Sequence, residues 1–239
     1  MFALGEKKKV ERIGIISYDY KHLKTQQVLD RLMLDTPQKR DISIFALPFY
    51  PRSTKTIRFA HRPNQFTGDS IFDIANRYGI AYKKCMSDIE IDDGCDLYLL
   101  TGAGILSKSA IRGKYILNCH PGIIPLTRGL DAFKWAIVEC YPMGNTLHFI
   151  DDQVDAGTVV AVKETPLYSN DTLCDFAHRH YTAEIDMLAN FELHLNLREN
   201  KFHGVSDGLT HKRMSIREEA QLENRFMEYK KRYALKEDS

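Results

Sequence analysis

Apolar strands alternate with helical segments along most of the chain, and this order constrains the fold more than any other feature. The first apolar run, at residues 10–16, is typical of a strand that is buried on both faces of a sheet. Further strands are predicted at residues 42–47, 80–82, 96–100, 116–119, 145–150 and 159–162, and helices at residues 25–34, 70–78, 131–139 and 171–195. Strands that alternate with helices over short connections predict an α/β fold with a doubly wound, mostly parallel sheet.

The composition indicates a soluble globular protein. The formal net charge is +1, so the charge balance predicts neither a nucleic-acid partner nor an anionic membrane surface. No apolar run approaches the roughly 20 residues that span a bilayer, and the N-terminal apolar stretches are too short for a signal peptide. The five cysteines include no Cys-x-x-Cys pair, which favours reduced thiols over disulfides or structural zinc. The sequence therefore predicts a cytoplasmic enzyme.

The residues that can carry chemistry gather at the end of the strand at residues 116–119. Asn118 and His120 are two positions apart, so their side chains share one face of a strand while Cys119 faces the other. A Pro-Gly pair ends the strand at the carboxyl edge of the sheet, where open α/β sheets bind ligands. Asp155 follows about one strand-helix-strand unit later. An amide, an imidazole and a carboxylate in this order can form an acyl-transfer site without a metal.

This region resembles the folate-dependent formyltransferases, whose core contains Asn-x-His-Pro, then Leu-Pro-x-x-Arg-Gly, then an Asp-x-Gly loop. The matching runs lie at residues 118–121, 123–129 and 155–157, with Thr158 where the family has proline. The resemblance implies that Asn118 and His120 hold the formyl group and stabilise its oxyanion. It implies that Asp155 supports the imidazole and helps to remove the amine proton. N10-formyltetrahydrofolate is then the formyl donor, and no metal is expected. His148 is expected to support the site structurally.

The resemblance also implies a position for the reduced folate. The run after the strand at residues 96–100 matches a wall of the family's pterin pocket; its residues are Gly102, Ala103, Gly104, Ile105 and Leu106. Asp151, in an acidic stretch that is otherwise typical of a solvated turn, is assigned to the same site. A bare Gly-x-Gly does not indicate a dinucleotide site.

An insertion at residues 49–64 combines cations with aromatic rings, as a diphosphate and sugar site requires. The candidate acceptor-binding residues in it are Arg58, His61, Arg62 and Asn64, and Arg128 joins them from the 123–129 loop. For any single arginine, a solvated basic loop is an equally good interpretation.

Two acceptors of the family are disfavoured. A glycinamide ribonucleotide enzyme has a glycine-rich phosphate loop after its first strand, whereas residues 17–22 (SYDYKH) contain no glycine. An enzyme of initiator tRNA needs a sizeable basic C-terminal domain, which the mixed charges after residue 197 do not provide. Among the acceptors of this family, the resemblance then implies a nucleotide-linked amino deoxysugar, which we expect to be GDP-perosamine or a dTDP-4-amino-4,6-dideoxysugar of O-antigen synthesis. Glycinamide ribonucleotide and a non-catalytic binding module stay as alternatives.

Residues 198–239 are predicted to form a small helical extension of the catalytic domain at residues 1–197. A Ser-x-x-Glu capping box at residues 215–218 opens its helix, and an apolar stripe follows at Leu222, Phe226, Tyr229 and Tyr233. Packing of this stripe on the same chain is the main interpretation, and a homodimer contact is the lesser one.

Two competing chemistries fail on spacing. Cys119 and His120 face opposite sides of a strand, so they do not form a nucleophile pair, and Cys119 is expected to be a buried apolar residue. His178 and His180 diverge on a helix, so they are expected to be solvated rather than to bind a metal.

Overall fold

The computed structural model describes residues 10–34, 40–51, 56–151, 157–196 and 210–235. Asp155 and the predicted domain boundary at residue 197 lie outside these ranges. The strands are β1 (Arg12–Tyr18), β2 (Asp41–Leu47), β3 (Ala81–Lys84), β4 (Leu97–Leu100), β5 (Ile116–His120), β6 (Arg128–Gly129), β7 (Gly144–Phe149), β8 (Val159–Glu164) and β9 (Thr210–His211). The helices are α1 (Leu23–Leu34), α2 (Ile71–Tyr78), α3 (Lys108–Ile111), α4 (Ala132–Val138), α5 (Leu173–Ala189), α6 (Phe191–Asn196), α7 (Ile216–Glu219) and α8 (Leu222–Tyr233).

Seven strands form one sheet in the order β3-β2-β1-β4-β5-β7-β8. Within this sheet β7 runs antiparallel to both of its neighbours, and the other pairings are parallel. The prediction of a doubly wound, mostly parallel α/β sheet is confirmed. The strand order reverses between β1 and β4, and such a switch point opens a crevice at the carboxyl edge of the sheet. β6 and β9 pair separately from the main sheet.

The two faces of the sheet are covered by different cores. One face packs against α1, α2 and α5 through buried aliphatic side chains such as Val28, Ile74 and Ile185. The opposite face carries Ile16, Tyr98 and other residues that pack with α3 and the loops around it. Side chains alternate between the two cores along each strand, which is why the strands read as nearly continuous apolar runs.

The predicted helix at residues 171–195 is two helices. α5 begins after Thr172, whose side chain forms a capping box with Asp175. It ends at Asn190, whose side-chain amide donates to the carbonyl of Asp186 at 3.1 Å, and α6 follows. The single-helix prediction was wrong because a polar side chain at residue 190 bonds to the backbone and ends the helix locally.

His180 is buried, so the prediction that it is solvated was wrong, whereas His178 is exposed as predicted. The face of α5 with Ile185 packs on the sheet and the face with Phe176 packs on α4 and α8, and His180 lies between them. Its Nδ1 lies 2.8 Å from the hydroxyl of Thr165. Burial lowers the pKa of His180 to about 4, so the ring is neutral at physiological pH.

The C-terminal elements pack on the rest of the chain. Ser215 and Glu218 form the predicted capping box at the start of α7. Leu222, Phe226 and Tyr229 of α8 are buried in a core that they share with α4 and α5, which is the packing predicted for the apolar stripe. None of the described helices is long and apolar enough to cross a membrane.

Candidate active site

Asn118 and His120 end β5 on one face of the sheet. Across the antiparallel pairing with β7, Asn118 lies opposite His148 and His120 lies opposite Thr146. Cys119 belongs instead to the core beneath α1 and α5, where burial raises the pKa of its thiol. The strand therefore separates the amide and the imidazole from the cysteine, as alternation predicts.

The Asn118 amide is oriented by His148. Its Nδ2 donates to Nε2 of His148 at 3.3 Å, and Nδ1 of His148 lies 3.3 Å from the carbonyl oxygen of Phe149. This arrangement corresponds to the His148 tautomer that carries its proton on Nδ1. His148 is only 1% exposed, so the ring that accepts the amide N–H of Asn118 is buried in the protein. His148 thus orients the side chain of Asn118, and the part of both residues in a site stays a prediction.

His120 is fixed by the loop that follows it. Its Nε2 donates to the carbonyl oxygen of Thr127 at 2.7 Å, and the ring is 4% exposed. The loop turns back tightly because residue 122 is glycine: a Cβ there would lie 2.6 Å from that same carbonyl oxygen. Since the Nε2 proton is used in this bond, the ring can offer a further N–H only as an imidazolium.

The 150–157 loop is described only at its ends. Ile150 packs in the core on the sheet face that carries Asn118, so the loop begins on that face. At the other end, Phe149 N donates to the carbonyl of Thr158 at 2.9 Å, and a Cβ on Gly157 would overlap the Phe149 carbonyl oxygen. This close approach explains the glycine of the Asp-x-Gly motif. Asp151 is exposed at the start of the loop.

The predicted pterin wall follows β4. Leu106 is buried in the core and anchors the segment, whereas Ile105 is 88% exposed and nothing lies within 4 Å of a Cβ placed on Gly104. Ala103, on the other side of Gly104, is half-buried. Gly102 lies against His22, whose ring would be 2.7 Å from a Cβ at residue 102. The middle of this segment is therefore exposed, whereas Gly102 and Leu106 at its two ends pack against the rest of the chain.

His22 occupies the switch point between β1 and β4. Its Nδ1 lies 2.9 Å from the hydroxyl of Thr25, which donates to Thr101 at 2.9 Å and lies 2.7 Å from Ser17. Burial, followed by the charges of Lys24 and Arg62, lowers the pKa of His22 to about 4. A neutral imidazole therefore lies beside the predicted pterin wall.

A buried carboxylate joins the loop at residues 56–67 to the helices. Glu184 is fully buried and its two oxygens each lie 2.7 Å from a cation, Nζ of Lys24 and an Nη of Arg62. Burial raises the pKa of Glu184, but the two cations outweigh it, so the pKa lies below its ordinary value. The cluster carries two positive charges and one negative charge at the carboxyl edge of the sheet.

The other predicted acceptor residues are held in different ways. Arg58 has an exposed side chain, and its backbone N–H donates to Glu219 at 2.5 Å. His61 stacks on Phe133 with ring centres 5.8 Å apart, and burial and nearby cations keep its pKa well below its ordinary value. Asn64 is exposed and closes a turn by accepting the N–H of Phe66.

Arg128 and Gly129 belong to a loop that the C-terminal extension holds in place. Arg128 is buried, and its carbonyl oxygen lies 3.3 Å from Nδ1 of His211. Gly129 has φ +89°, and a Cβ there would overlap the backbone of His211. The Arg-Gly motif thus requires a glycine because of the pairing between β6 and β9.

Lys134 and Glu219 form another buried ion pair, in addition to the pairs that Glu184 forms with Lys24 and Arg62. Glu219 also accepts the backbone N–H of Arg58, so it links α4, α7 and the 56–67 loop. Sequence reasoning missed His22, Lys24 and Glu184, because their importance depends on contacts between distant segments. The apolar spacing of α5 marks Glu184 as a core position, and a carboxylate in such a position was the available signal.

The central part of the chain is similar to known proteins. Residues 96–191 match the formyl transferase family. A stretch of 104 residues is 34% identical to the phosphoribosylglycinamide formyltransferase of Haemophilus influenzae, covering 38% of this chain and 49% of that protein. A stretch of 62 residues is 37% identical to the dTDP-4-amino-4,6-dideoxyglucose formyltransferase of Mycobacterium tuberculosis, covering 26% of each. The matches thus span about half of these relatives or less.

Two solved structures share the fold. A 4-N formyltransferase from Francisella tularensis superposes with a TM-score of 0.58 at 16% identity, over 91% of this chain and 88% of its own. A glycinamide ribonucleotide transformylase from Symbiobacterium toebii superposes with a TM-score of 0.54 at 19% identity, over 82% and 92%. The fold therefore occurs in formyltransferases with different names, and the fold alone does not identify the acceptor.

Proposed function

We propose that the protein transfers a formyl group from N10-formyltetrahydrofolate to the amine of a nucleotide-linked amino deoxysugar, and the match of residues 96–191 to the formyl transferase family supports the formyl transfer. The observation that carries the proposal is the pair at the end of β5, where an oriented Asn118 amide and a fixed His120 ring share one face. The fit of the donor is supported by the open middle of the 102–106 wall on the adjacent strand.

The reduced folate supplies the formyl group, and this chain supplies the hydrogen bonds and the charge. The acceptor amine attacks the formyl carbon, the bond from that carbon to N10 breaks, and the proton lost by the amine passes to N10. Asn118 donates an amide N–H to the formyl oxygen as negative charge develops there. His120 can add a second N–H only when protonated, since Nε2 already donates to Thr127. Asp155 is the carboxylate assigned to stabilise that imidazolium and to relay the amine proton through water.

The loop after β1 supports an amino sugar over glycinamide ribonucleotide. A phosphate needs several backbone N–H groups in a tight glycine-rich turn. Here Tyr18 and Tyr20 replace such glycines, and their rings pack against Phe49. The longer match to the Haemophilus relative favours glycinamide ribonucleotide as the second candidate. On the first proposal the protein is cytoplasmic and its product, a formamido sugar such as N-formylperosamine, enters O-antigen or another surface polysaccharide.

A competition assay identifies the acceptor. The protein is incubated with N10-formyltetrahydrofolate and equal concentrations of GDP-perosamine, a dTDP-4-amino-4,6-dideoxysugar and glycinamide ribonucleotide, and the products are separated by mass. We expect one sugar nucleotide to be formylated at least 10-fold faster than glycinamide ribonucleotide. Faster formylation of glycinamide ribonucleotide would overturn the choice of acceptor, and no formylated product with any of the three would contradict the proposed activity.

Substitution of Arg58 tests whether the insertion at residues 49–64 binds the acceptor. Arg58→Gln should raise the KM for the sugar nucleotide with little change in kcat, because a diphosphate contact is nearly equal in the ground and transition states. Arg217→Gln is the matched control, since Arg217 is an exposed arginine on α7. A fall in kcat without a change in KM would place Arg58 in the chemical step instead.

A further inference from the structure

A group of aromatic side chains lies in contact at the ends of β1 and β2, and we call it the aromatic cluster; its members are Tyr18, Tyr20, His22, Phe49 and Phe66. Tyr20 stacks on Phe49 with ring centres 4.8 Å apart and planes 16° apart, and Phe66 lies 4.7 Å from Phe49 on a tilted plane. Tyr20 is 45% exposed and Phe66 is 46% exposed. These two exposed rings have centres 6.3 Å apart and form an apolar surface on which a flat ligand can stack.

The aromatic cluster is continuous with the crevice between β1 and β4. Tyr18 is the last residue of β1, and Phe49 follows the end of β2 by two residues. His22 joins the rings to the crevice, because it lies edge-on to Tyr18 at 5.5 Å, near Phe66 at 6.4 Å and against Gly102. The cluster is therefore on the same edge of the sheet as Asn118 and His120.

The backbone fixes the outermost ring. The N–H of Leu23 donates to the carbonyl of Gln65 at 2.8 Å, so the segment that precedes Phe66 is attached to the start of α1. Asn64 accepts the N–H of Phe66 at 3.0 Å, and its carbonyl accepts the hydroxyl of Thr67 at 2.9 Å. The ring is thus presented by an ordered turn, which reduces the entropy lost when a ligand stacks on it.

The order of the strands in the sheet sets the distance between the reacting pair and the rings. β2 is three strand positions from β5, which corresponds to ~14 Å at the usual distance between strands. The reacting pair lies at one end of this span and the rings lie at the other. Lys24 follows His22 by two residues, and its ammonium shares the Glu184 carboxylate with the Arg62 guanidinium, so both cations lie beside the end that carries the rings. With Glu184 they leave one positive charge in excess.

We propose that the aromatic cluster binds the base of the nucleotide that carries the amino sugar, with Tyr20 and Phe66 as the stacking surface. The amine then lies at Asn118 and His120 at one end of the span, the base lies on the rings at the other end, and the diphosphate extends between them past Arg62, whose side chain is 29% exposed. Stacking on aromatic side chains accepts any base, so these rings supply affinity rather than a choice of base. The inference rests on the proposed function, because it concerns the far end of the same acceptor.

Calorimetry with GDP, dTDP and inorganic diphosphate tests the inference on the full chain. Wild-type protein should bind GDP or dTDP more tightly than inorganic diphosphate. Phe66→Ala should weaken nucleotide binding by roughly 5- to 150-fold, the range for loss of one base–aromatic stack, and should leave diphosphate binding unchanged. Phe66→Tyr retains the ring and should bind nearly as wild type. Phe72→Ala is the matched control, since Phe72 is a phenylalanine on α2 that is 52% exposed.

Two results would overturn the inference. One is binding of GDP and dTDP to Phe66→Ala with wild-type affinity; the other is wild-type protein that binds neither nucleotide more tightly than inorganic diphosphate. Failure of the proposed function is a separate result: nucleotide binding that depends on Phe66, with no formyl transfer to any acceptor, would contradict the activity and retain the base site.

Discussion

Removal of the buried carboxylate at residue 184 should destabilise the protein strongly. Glu184 makes charged hydrogen bonds of 2.7 Å to both Lys24 and Arg62, and its side chain is fully buried. In Glu184→Gln the Lys24 ammonium, whose side chain is only 8% exposed, keeps its burial and loses its counterion. Loss of one partner of a buried ion pair costs about 3–5 kcal/mol, because the remaining charge is left uncompensated.

A substitution two residues along the same helix provides the control. Asp186 pairs with Arg31 at 2.6 Å, but the two side chains are 42% and 31% exposed, so the solvent screens the interaction. Asp186→Asn should therefore cost less than about 1 kcal/mol. Both variants make the same change, from a carboxylate to an amide, on α5.

The free energy of unfolding is measured by urea denaturation at pH 7 for the wild type and both variants. We expect Glu184→Gln to lower it by at least ~2 kcal/mol more than Asp186→Asn does, with similar m-values. If the two variants lost equal stability, the reasoning from burial would be refuted, and Glu184 would not be the counterion that holds the 56–67 loop on the helices.

Three further outcomes follow from single contacts. Because the pKa of His22 is lowered to about 4, the unfolded state binds more protons than the folded state below pH 6.5. As the pH falls from 7 to 5, proton binding to His22 in the unfolded state should lower the free energy of unfolding by about 2 kcal/mol. In urea denaturation, the free energy of unfolding of His22→Asn should depend less on pH than that of the wild type. Gly102→Ala places a Cβ 2.7 Å from the His22 ring and should weaken binding of a reduced-folate analogue in calorimetry; unchanged binding would contradict the placement of the folate beside residue 102. Cys174 is exposed and should react with a thiol reagent in the native protein, whereas Cys119 should react only after unfolding, because it is buried and its pKa is raised.

The strands could be predicted from the sequence because buried parallel strands are apolar on both faces, and that signal is local. The same holds for the facing of Asn118 and His120 on one side and Cys119 on the other, since alternation along a strand needs no distant contact. The capping box at Ser215 was predictable for the same reason.

The surroundings of the site could not be predicted in the same way. The burial of His180 depends on distant segments: its ring lies 5.3 Å from that of Phe133 on α4, and its Nδ1 lies 2.8 Å from the hydroxyl of Thr165. The pairing of Glu184 with Lys24 and Arg62 joins positions 160 and 122 residues apart. A local pattern contains no information on which distant charge meets a buried carboxylate, so such pairs require the folded chain.

Single-turnover transfer of a labelled formyl group tests the central claim most directly. N10-formyltetrahydrofolate with a ¹³C formyl carbon is mixed with excess protein and the acceptor found in the competition assay, and the ¹³C formamide is followed with time. The account predicts that the label moves to the acceptor amine and that His120→Asn slows this step by roughly 10²–10³-fold, while His178→Asn, a change of an exposed histidine, leaves it unchanged. Transfer by His120→Asn at the wild-type rate would contradict the account.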